Sequence, residues 1–519
     1  MPWWKPSTWR KRQKALPSKR GKLGYDAAGH GRRNQGWIRA GKGQDANGIV
    51  GSAGRTLRER SRDLARNNAV AASAIRVLTA DIVGTGIVPR ASTGIATLDK
   101  QIDSLWTAWV QEASAETDLD VYGLQTLAVR SWLESGEVLI RRRTRRPEDG
   151  LPVPLQLQVI EAEHLDDTKA GELKSGGRIV QGVEFDPIGR RSAYWLRDRH
   201  PGDSTGVGAS LASRPVAAAN VAHLYEPLRP GQCRGVPFLA PVMTSIRDLG
   251  DYRDAERYRA KVAACFVAFI HGGDVDDQGI TDDDYPTDVA DVTDSDGIPI
   301  ENLEPGMMPR LRNGKHVTFS NPPKAGASPA FLTSEQQSIA AGLGMTYEDL
   351  SGDLSKVNFS SFKAGRETKN RRIRVIQTQI VVPMICRPIR RWFIDTAVAA
   401  GLLPAHPKVH ATRWITPAFP EIDRSKEAAA DLTEMRTGTL TLGDALARRG
   451  LDLEDTLNEH KRTLDLVNEL GLVFDSLPSL VSKAGQAQPD TEPDDSEDDE
   501  PPEDPVDDEE PPDEGDDDG

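Results

Sequence analysis

The sequence predicts an α+β chain, and three changes of hydrophobic period carry that prediction. From Thr56 onward, Leu57, Leu64, Ala71, Ile75, Leu78 and Ile82 fall on one helical face at spacings of seven, four and three. Between Val138 and Tyr225 the period drops to two, most cleanly in Leu155-Gln156-Leu157-Gln158-Val159. From Ser360 to about Ala399 a helical period returns in one long basic segment, with Ile373, Ile376, Ile380 and Met384 on a shared face.

In chain order, residues 1–54 read as a flexible basic arm. The arm is rich in Gly, Lys and Arg, with Trp3, Trp4, Trp9 and Trp37 interleaved, and it lacks a regular period. Aromatic and basic residues together suit nucleic acid by stacking and charge, and they suit docking on a neighbouring subunit equally. The helix from Thr56 stops at Gly84 and Gly86. Two more helices are expected, Leu98–Glu112 around Trp106 and Trp109, and Gly123–Glu134 around Leu124 and Trp132. Strands follow at Val138–Arg143, Leu155–Ile160, Gly182–Phe185, Ala193–Arg197 and Asn220–Tyr225. The turn Asp186-Pro187-Ile188-Gly189 makes 182–197 a hairpin. A helix is expected from Val236 to Val262. A weakly hydrophobic insert then spans 271–330, strongly acidic between Asp274 and Asp296, with strand-like pieces at Gly306–Leu311 and His316–Phe319. Thr333–Gly342 is helical, and Tyr347–Asp353 is a polar, turn-prone loop. Pro383 and Pro388 sit inside the long basic helix. Proline removes an internal hydrogen bond and clashes with the preceding turn, so a kink is expected. Thr441–Asp444 fits the box that opens a helix, and small helices run to about Ser482.

The 519 residues suffice for more than one globular unit, and 38% hydrophobic with 28% charged residues suits a soluble protein with a real core. The net charge of −14 averages unlike regions. Residues 1–62 carry 16 Lys and Arg against 3 acids, while Asp490–Gly519 holds 19 acids and neither Lys nor Arg. With seven prolines from Pro489 onward, that tail is expected to stay disordered. The longest apolar run, Val262–Ile270, is too short to cross a bilayer, and the N-terminus lacks the apolar core of a signal peptide. Cys233, Cys265 and Cys386 lie far apart, as reduced cysteines of a cytoplasmic protein do.

Catalytic signatures are missing. The chain has no Gly-x4-Gly-Lys-Ser/Thr loop and no His-Glu-x-x-His. His223 lies in a strand pattern and reads as a core or edge histidine. The acids of 274–296 lack the ligand spacing of a calcium loop and read as a solvated segment. Gly202–Gly208 is glycine-rich but has no lysine. No catalytic, cofactor-binding or metal-binding residue is assigned, and no cofactor is expected. From the residues alone, a structural or nucleic-acid-handling role leads and an unrecognised enzyme follows.

Several segments, in order, resemble the lambda-type phage portal family. Arg62-Asp63-Leu64-Ala65-Arg66-Asn67-Asn68, followed by Asp81-Ile82-Val83-Gly84-Thr85-Gly86-Ile87, is similar to its N-terminal signature. Gln232-Cys233-Arg234-Gly235-Val236-Pro237 matches a segment preceding a long helix. Gly344-Met345-Thr346-Tyr347-Glu348-Asp349-Leu350-Ser351-Gly352-Asp353, then Asn358-Phe359-Ser360-Ser361, resembles its most recognisable stretch, with Phe359 where many members have Tyr. Trp414–Pro420 and Ile422-Asp423 through Lys426-Glu427-Ala428 fit the segment after the kinked helix. The resemblance covers about residues 55–465.

What the resemblance implies is an α+β portal fold of wing, stem, clip and crown with a long kinked helix, assembled as a dodecameric ring around a DNA channel. By position, 55–235 would be wing (helices, then a β-rich subdomain), 236–270 the first stem helix, and 271–330 the clip. Residues 331–359 would be the second stem helix and tunnel loop, 360–420 the kinked wing helix and following segment, 421–482 crown helices, and 483–519 the acidic tail. The implied function is the channel at one capsid vertex for DNA packaging and ejection, in the virion after assembly in the host cytoplasm. Implied partners are double-stranded DNA without sequence specificity, terminase, the head–tail connector, scaffold and major capsid protein, with no membrane. The expected channel loop comprises Leu350, Ser351, Asp353, Ser355, Lys356, Asn358 and Lys363. Lys356 and Lys363 would brush phosphates, or else sit at a subunit interface. The acidic tail would keep the crown off DNA by like-charge repulsion. Two rivals remain: a DNA-processing enzyme (nuclease or terminase component), which needs metal-binding acids in a cleft, and another head–tail connector ring.

Overall fold

A computed structural model describes residues 44–203, 212–265, 269–272, 315–318, 329–355, 357–419 and 423–472. The period that predicts one helix from Thr56 to Ile82 resolves into two, α1 (Ala46–Asn67) and α2 (Ala69–Val83). Asn68 separates them. Its backbone is extended (φ −119°, ψ 122°), and its side chain accepts hydrogen bonds from the N–H groups of Val70 and Ala71 at 2.9 and 3.3 Å. An asparagine that caps in this way competes with helix continuation. α1 also begins inside the predicted arm. Asp45 caps it, and Asn47 donates to the Gly231 carbonyl and accepts from the Cys233 N–H, both at 2.9 Å. Gly48, Gly51 and Gly54 hide this turn from propensity. Residues 1–43 lie outside the described residues.

β1 (Val88–Ala91), α3 (Ala96–Val110) and α4 (Val121–Ser135) come next. The β-rich stretch holds β2 (Glu137–Thr144), β3 (Leu155–Glu161), β4 (Gly171–Glu172), β5 (Arg178–Val180), β6 (Val183–Phe185), β7 (Arg191–Arg197), β8 (Ser213–Ala217) and β9 (Val221–Tyr225). These make two antiparallel sheets, ordered β3-β2-β9 and β4-β5-β6-β7-β8. The β6–β7 hairpin forms as its turn predicts. The short strands β4, β5 and β8 are additions to the expected set.

The helix expected from Val236 is shorter at its start: α5 runs Met243–Cys265. Pro237 and Pro241 push the residues before them out of the helical region, so this stretch is turned instead. β10 (Phe269–Gly272) pairs antiparallel with β11 (Lys315–Thr318). The rest of the acidic insert, including Gly306–Leu311, lies outside the described residues. α6 (Pro329–Leu343) follows, then α7 (Tyr347–Ser351), a helical turn where a loop was expected. Thr346 caps α7, and Gly352 closes it in the left-handed region at φ 72°.

The long basic segment is one continuous path: α8 (Phe359–Ile376), a π-helical stretch over Gln377–Cys386, and α9 (Arg387–Ala399). Pro383 sits in the wide stretch, where the Arg387 N–H bonds the Val382 carbonyl. The expected proline break is thus taken up by wider winding, a common accommodation inside α-helices. Pro388 follows directly after the wide stretch, in the first turn of α9. β12 (Thr412–Ile415) returns to pair with β1, a non-local pairing with no local signal. α10 (Arg424–Arg436) and α11 (Leu442–Arg448) end this unit, and α11 opens with the predicted Thr441–Asp444 cap. Residues from Leu451 form a separate unit, whose described part is α12 (Leu453–Glu469) capped by Asp452. The acidic tail lies outside the described residues.

Two of the three apolar clusters among the described residues hold the helices of the larger unit in place. One joins α2, α3 and α4 to β2, β3, β9, the π stretch and α9. At its centre Trp106, Trp109 and Phe393 stack with centroids 5.0–5.2 Å apart. The other joins α1 and α2 to the start of α5, α6 and α7.

A buried ionic cluster ties helices to sheet. Glu137, fully enclosed at the start of β2, receives Arg234 through three contacts at 2.6–2.9 Å. Arg58 of α1 (3.2 Å), His223 of β9 (3.1 Å) and the Gly235 N–H (3.0 Å) complete the shell. Burial alone would raise the Glu137 pKa, but Arg234 and the His223 hydrogen bond hold it well below the ordinary range. The chain can close this way only because residue 235 is glycine: a Cβ there would stand 1.9 Å from the Gly136 carbonyl oxygen. His223 is therefore the core histidine its strand pattern indicates. A second tie is Lys369 of α8. It is 4% exposed at its side chain and lies 3.1 Å from Asp81 of α2 and 3.0 Å from Asp349 of α7.

Glu137→Gln should cost about 3–5 kcal/mol, because Arg234 keeps its charge without a carboxylate and Arg58 loses one of its two. Denaturant midpoints of the full chain will check this. The same group sets a pH dependence. Its folded pKa is depressed, so its contribution is complete above the unfolded value of about 4.3 and disappears as pH falls through the lower folded value. The variant should flatten the acid limb of the stability profile. Lys369→Met should cost about 2–3 kcal/mol by leaving two carboxylates unneutralised, and adding Asp349→Asn should recover part of it in a double-mutant cycle.

Candidate nucleic-acid interface

The segment expected to meet DNA is the connection from α7 to α8, and its own polar side chains shape it. Thr346 accepts from the Asp349 N–H and donates to its carboxylate at 3.2 and 2.8 Å. Ser351 donates to the Tyr347 carbonyl (2.8 Å) and accepts from the Asp353 N–H (3.1 Å). Asp353 accepts from the Ser355 N–H and from the Tyr347 hydroxyl at 3.0 and 3.3 Å. Asn358 caps α8 by accepting from the Ser361 N–H at 2.8 Å. Side-chain to backbone bonds of this kind define a tight connection without burying it.

Of the residues expected to act together, most have structural work here. Leu350 is buried in the second apolar cluster, and its carbonyl accepts from Ser73 at 3.3 Å. Ser351, Asp353 and Asn358 make the turn and the cap. Ser355 is exposed. Lys363 is part-exposed and stands 3.6 Å from Glu427 of α10. Lys356 lies outside the described residues. Beside the exposed Ser355 and Asn358, two large apolar residues face outward: Leu354 is 60% and Phe359 54% exposed. The available signal was two large apolar residues in a polar loop with no helical partner face.

The basic residues of the long helix divide in two. Lys369 is buried against Asp81 and Asp349. Arg390 is 3% exposed, stacks over Trp106 at 4.8 Å and pairs with Asp103 at 3.3 Å. Burial pushes its pKa down to about 10, so it stays a cation at neutral pH. Arg372 donates to the Leu343 carbonyl at 2.9 Å. Arg366, Arg371 and Arg374 instead line a cavity of about 530 Å³ between α8 and the α10–α11 pair, with Glu367, Glu427 and Asp431 among its walls.

The rival enzyme reading requires converging metal ligands. Among the described residues Glu161, Glu163 and His200 bring ligand atoms within 4.8 Å of one another. Arg62, however, forks both oxygens of Glu163 at 2.8 and 3.0 Å, and Arg58 approaches it at 3.3 Å. Two guanidiniums on that carboxylate make the cluster an ion-pair network and oppose a further cation. Among the described residues, no helix is long and apolar enough to cross a membrane.

The motifs noted in the sequence have places in this geometry. Arg62 holds Glu163, Asp81 holds Lys369, and Arg234 holds Glu137. The chain matches the family model described as phage portal protein, lambda family, over residues 30–377. A probable portal protein of Halomonas phage phiHAP-1 is 27% identical over 491 residues, covering 90% of each chain. Portal protein B of Escherichia phage lambda is 22% identical over 450 residues, covering 78% of this chain and 82% of that one. Among solved structures, a chain from the virion of a native gene transfer agent particle is 12% identical with a TM-score of 0.45, covering 77% of this chain and 93% of that one. With the family matched over more than half its length, this chain belongs to the lambda family of phage portal proteins.

Proposed function

We propose that this portal protein assembles as a closed ring, a dodecamer, at one vertex of a capsid, and that DNA passes through its axis during packaging and ejection. The observation that carries this reading is the family match over residues 30–377. A ring needs heterologous interfaces that close by rotation, so each copy must present two different faces to its neighbours. The role is structural. Its partners are terminase, the head–tail connector, scaffold and major capsid protein, and its place is the virion after assembly in the host cytoplasm. In this reading 55–235 is wing, 236–270 and 331–359 carry the stem helices, 271–330 is clip, and 421–482 is crown. The α7–α8 connection then faces the channel.

A channel must pass DNA without holding it. Base-specific contacts would stall movement, and dense phosphate contacts would retard it through counterion release. A loop tip of Leu354 and Phe359 with few free cations suits steric guidance. The phosphate contacts left to it are Lys356 and the part-exposed Lys363.

Electron micrographs of the purified full chain, under assembly conditions, should show rings with an axial hole. Monomers with divalent-dependent nuclease activity would overturn the reading. Within the ring, Leu354→Ser with Phe359→Ser should impair packaging or retention of DNA in particles more than Lys356→Ala with Lys363→Ala does. Equal loss in both pairs would return the phosphate contacts to first place.

A further inference from the structure

The outer half of β2 carries a run of arginines that the channel reading does not use: Arg141, Arg142, Arg143, Arg145 and Arg146. A strand points alternate residues to opposite faces, so the run divides. Arg142 shares the face of Ile140, which packs toward α9, and donates to the Thr396 hydroxyl at 2.8 Å. Arg141 and Arg143 share the other face with Leu139. Their cross-strand partners on β3 are Gln158 and Gln156. The ladder to β9 stops at Arg141 and Val221, so Arg143 stands beyond the last β9 partner. Arg145 extends the line and donates to Gln156 at 2.8 Å. All three arginines are part-exposed.

No carboxylate answers these charges. Arg141, Arg143 and Arg145 form no ion pair among the described residues. Asp198, whose field reaches Arg141, stands 3.8 Å from Arg214, and Glu116 accepts from Gln158. Part burial and the neighbouring charge of Arg143 push the Arg141 pKa down, the mark of cations held together without a counter-charge. The result is a sheet face of three arginines and two glutamines.

We propose that this face binds the phosphate backbone of double-stranded DNA, as a contact separate from the α7–α8 connection. Arg and Gln are both side chains that hold phosphate oxygens. Arginines two residues apart on a strand repeat about every 6.7 Å, close to two of the roughly 3.4 Å steps between charges along one strand of the duplex. An acidic protein surface has no such repeat. This rests on the reading above for DNA as the ligand, but the contact belongs to a single copy and needs no ring.

Binding of a labelled mixed-sequence duplex to the full chain, followed by fluorescence anisotropy over a range of salt, tests it. Arg141, Arg143 and Arg145 replaced together by Gln should weaken binding about tenfold and flatten the plot of log affinity against log salt by about 2–3 in slope. Lys at the same three positions should keep the slope. Exposed Arg55, Arg247 and Arg257, each already paired with an acid on its own helix, give a control of equal charge when replaced by Gln, and the slope should stay as it is. An unchanged slope in the first variant overturns the assignment. So does an equal fall in the control, which would make net charge the cause, or an equal fall in the Lys variant, which would make packing the cause. A first variant that keeps the duplex but loses polyglutamate would give the face to an acidic protein instead. Failure of the chain to form rings alters none of these outcomes, so the two readings fail separately.

Discussion

The larger unit depends on one buried carboxylate. Glu137 opens β2, and around it meet α1 through Arg58, β9 through His223, and the turn before α5 through Arg234 and Gly235. A carboxylate can be enclosed at such a point only when its neighbours supply compensating charge and donors, and each of these neighbours comes from a different part of the chain. The cluster therefore acts on geometry as much as on energy. It fixes where the helical region leaves off, where the sheet begins, and from where the α5 helix departs. The family motifs around Arg62, Asp81 and Arg234 are likewise points where distant segments are held together.

A long helix carrying many Lys and Arg invites reading as a surface for polyanions. The structure divides those charges between two environments. Lys369, Arg372 and Arg390 point inward, to carboxylates, a carbonyl and an aromatic pair. Arg366, Arg371 and Arg374 line the cavity toward α10 and α11, together with Glu367, Glu427 and Asp431. Counting cations along a sequence cannot separate the groups, because the partners lie on other elements, some of them hundreds of positions away, as Asp81 is from Lys369.

Features set by local chemistry were legible: the alternation of Leu155–Val159, the Asp186–Gly189 turn, the Thr441 cap, and the helices around Trp106 and Trp132. Misread features were those where a local signal had a distant cause. Asn68 looks like one more polar residue on a helix until its caps are seen. The turns before α5 follow from prolines inside an otherwise helical apolar pattern. β1 and β12 pair across more than three hundred residues, and four residues of alternation announce nothing. At the candidate loop the sequence does not reveal the division of labour among the residues. Leu350 resembled a loop residue and is core, whereas Leu354 and Phe359 face outward.

The π stretch from Gln377 to Cys386 gives the long helix a fixed phase. Upstream, α8 must aim Lys369 at Asp81 and Asp349. Downstream, α9 must aim Arg390 and Phe393 at Trp106. Wider winding turns the chain through fewer degrees per residue, so this stretch sets the angle between the two faces. One residue more or fewer here would turn everything beyond it by about 100°. The segment works as a coupling between two gears, in which the count of teeth matters more than the identity of any one. Its length is locked to the cores on either side, and Val381, Val382, Ile385 and Cys386 seat it in the first of them.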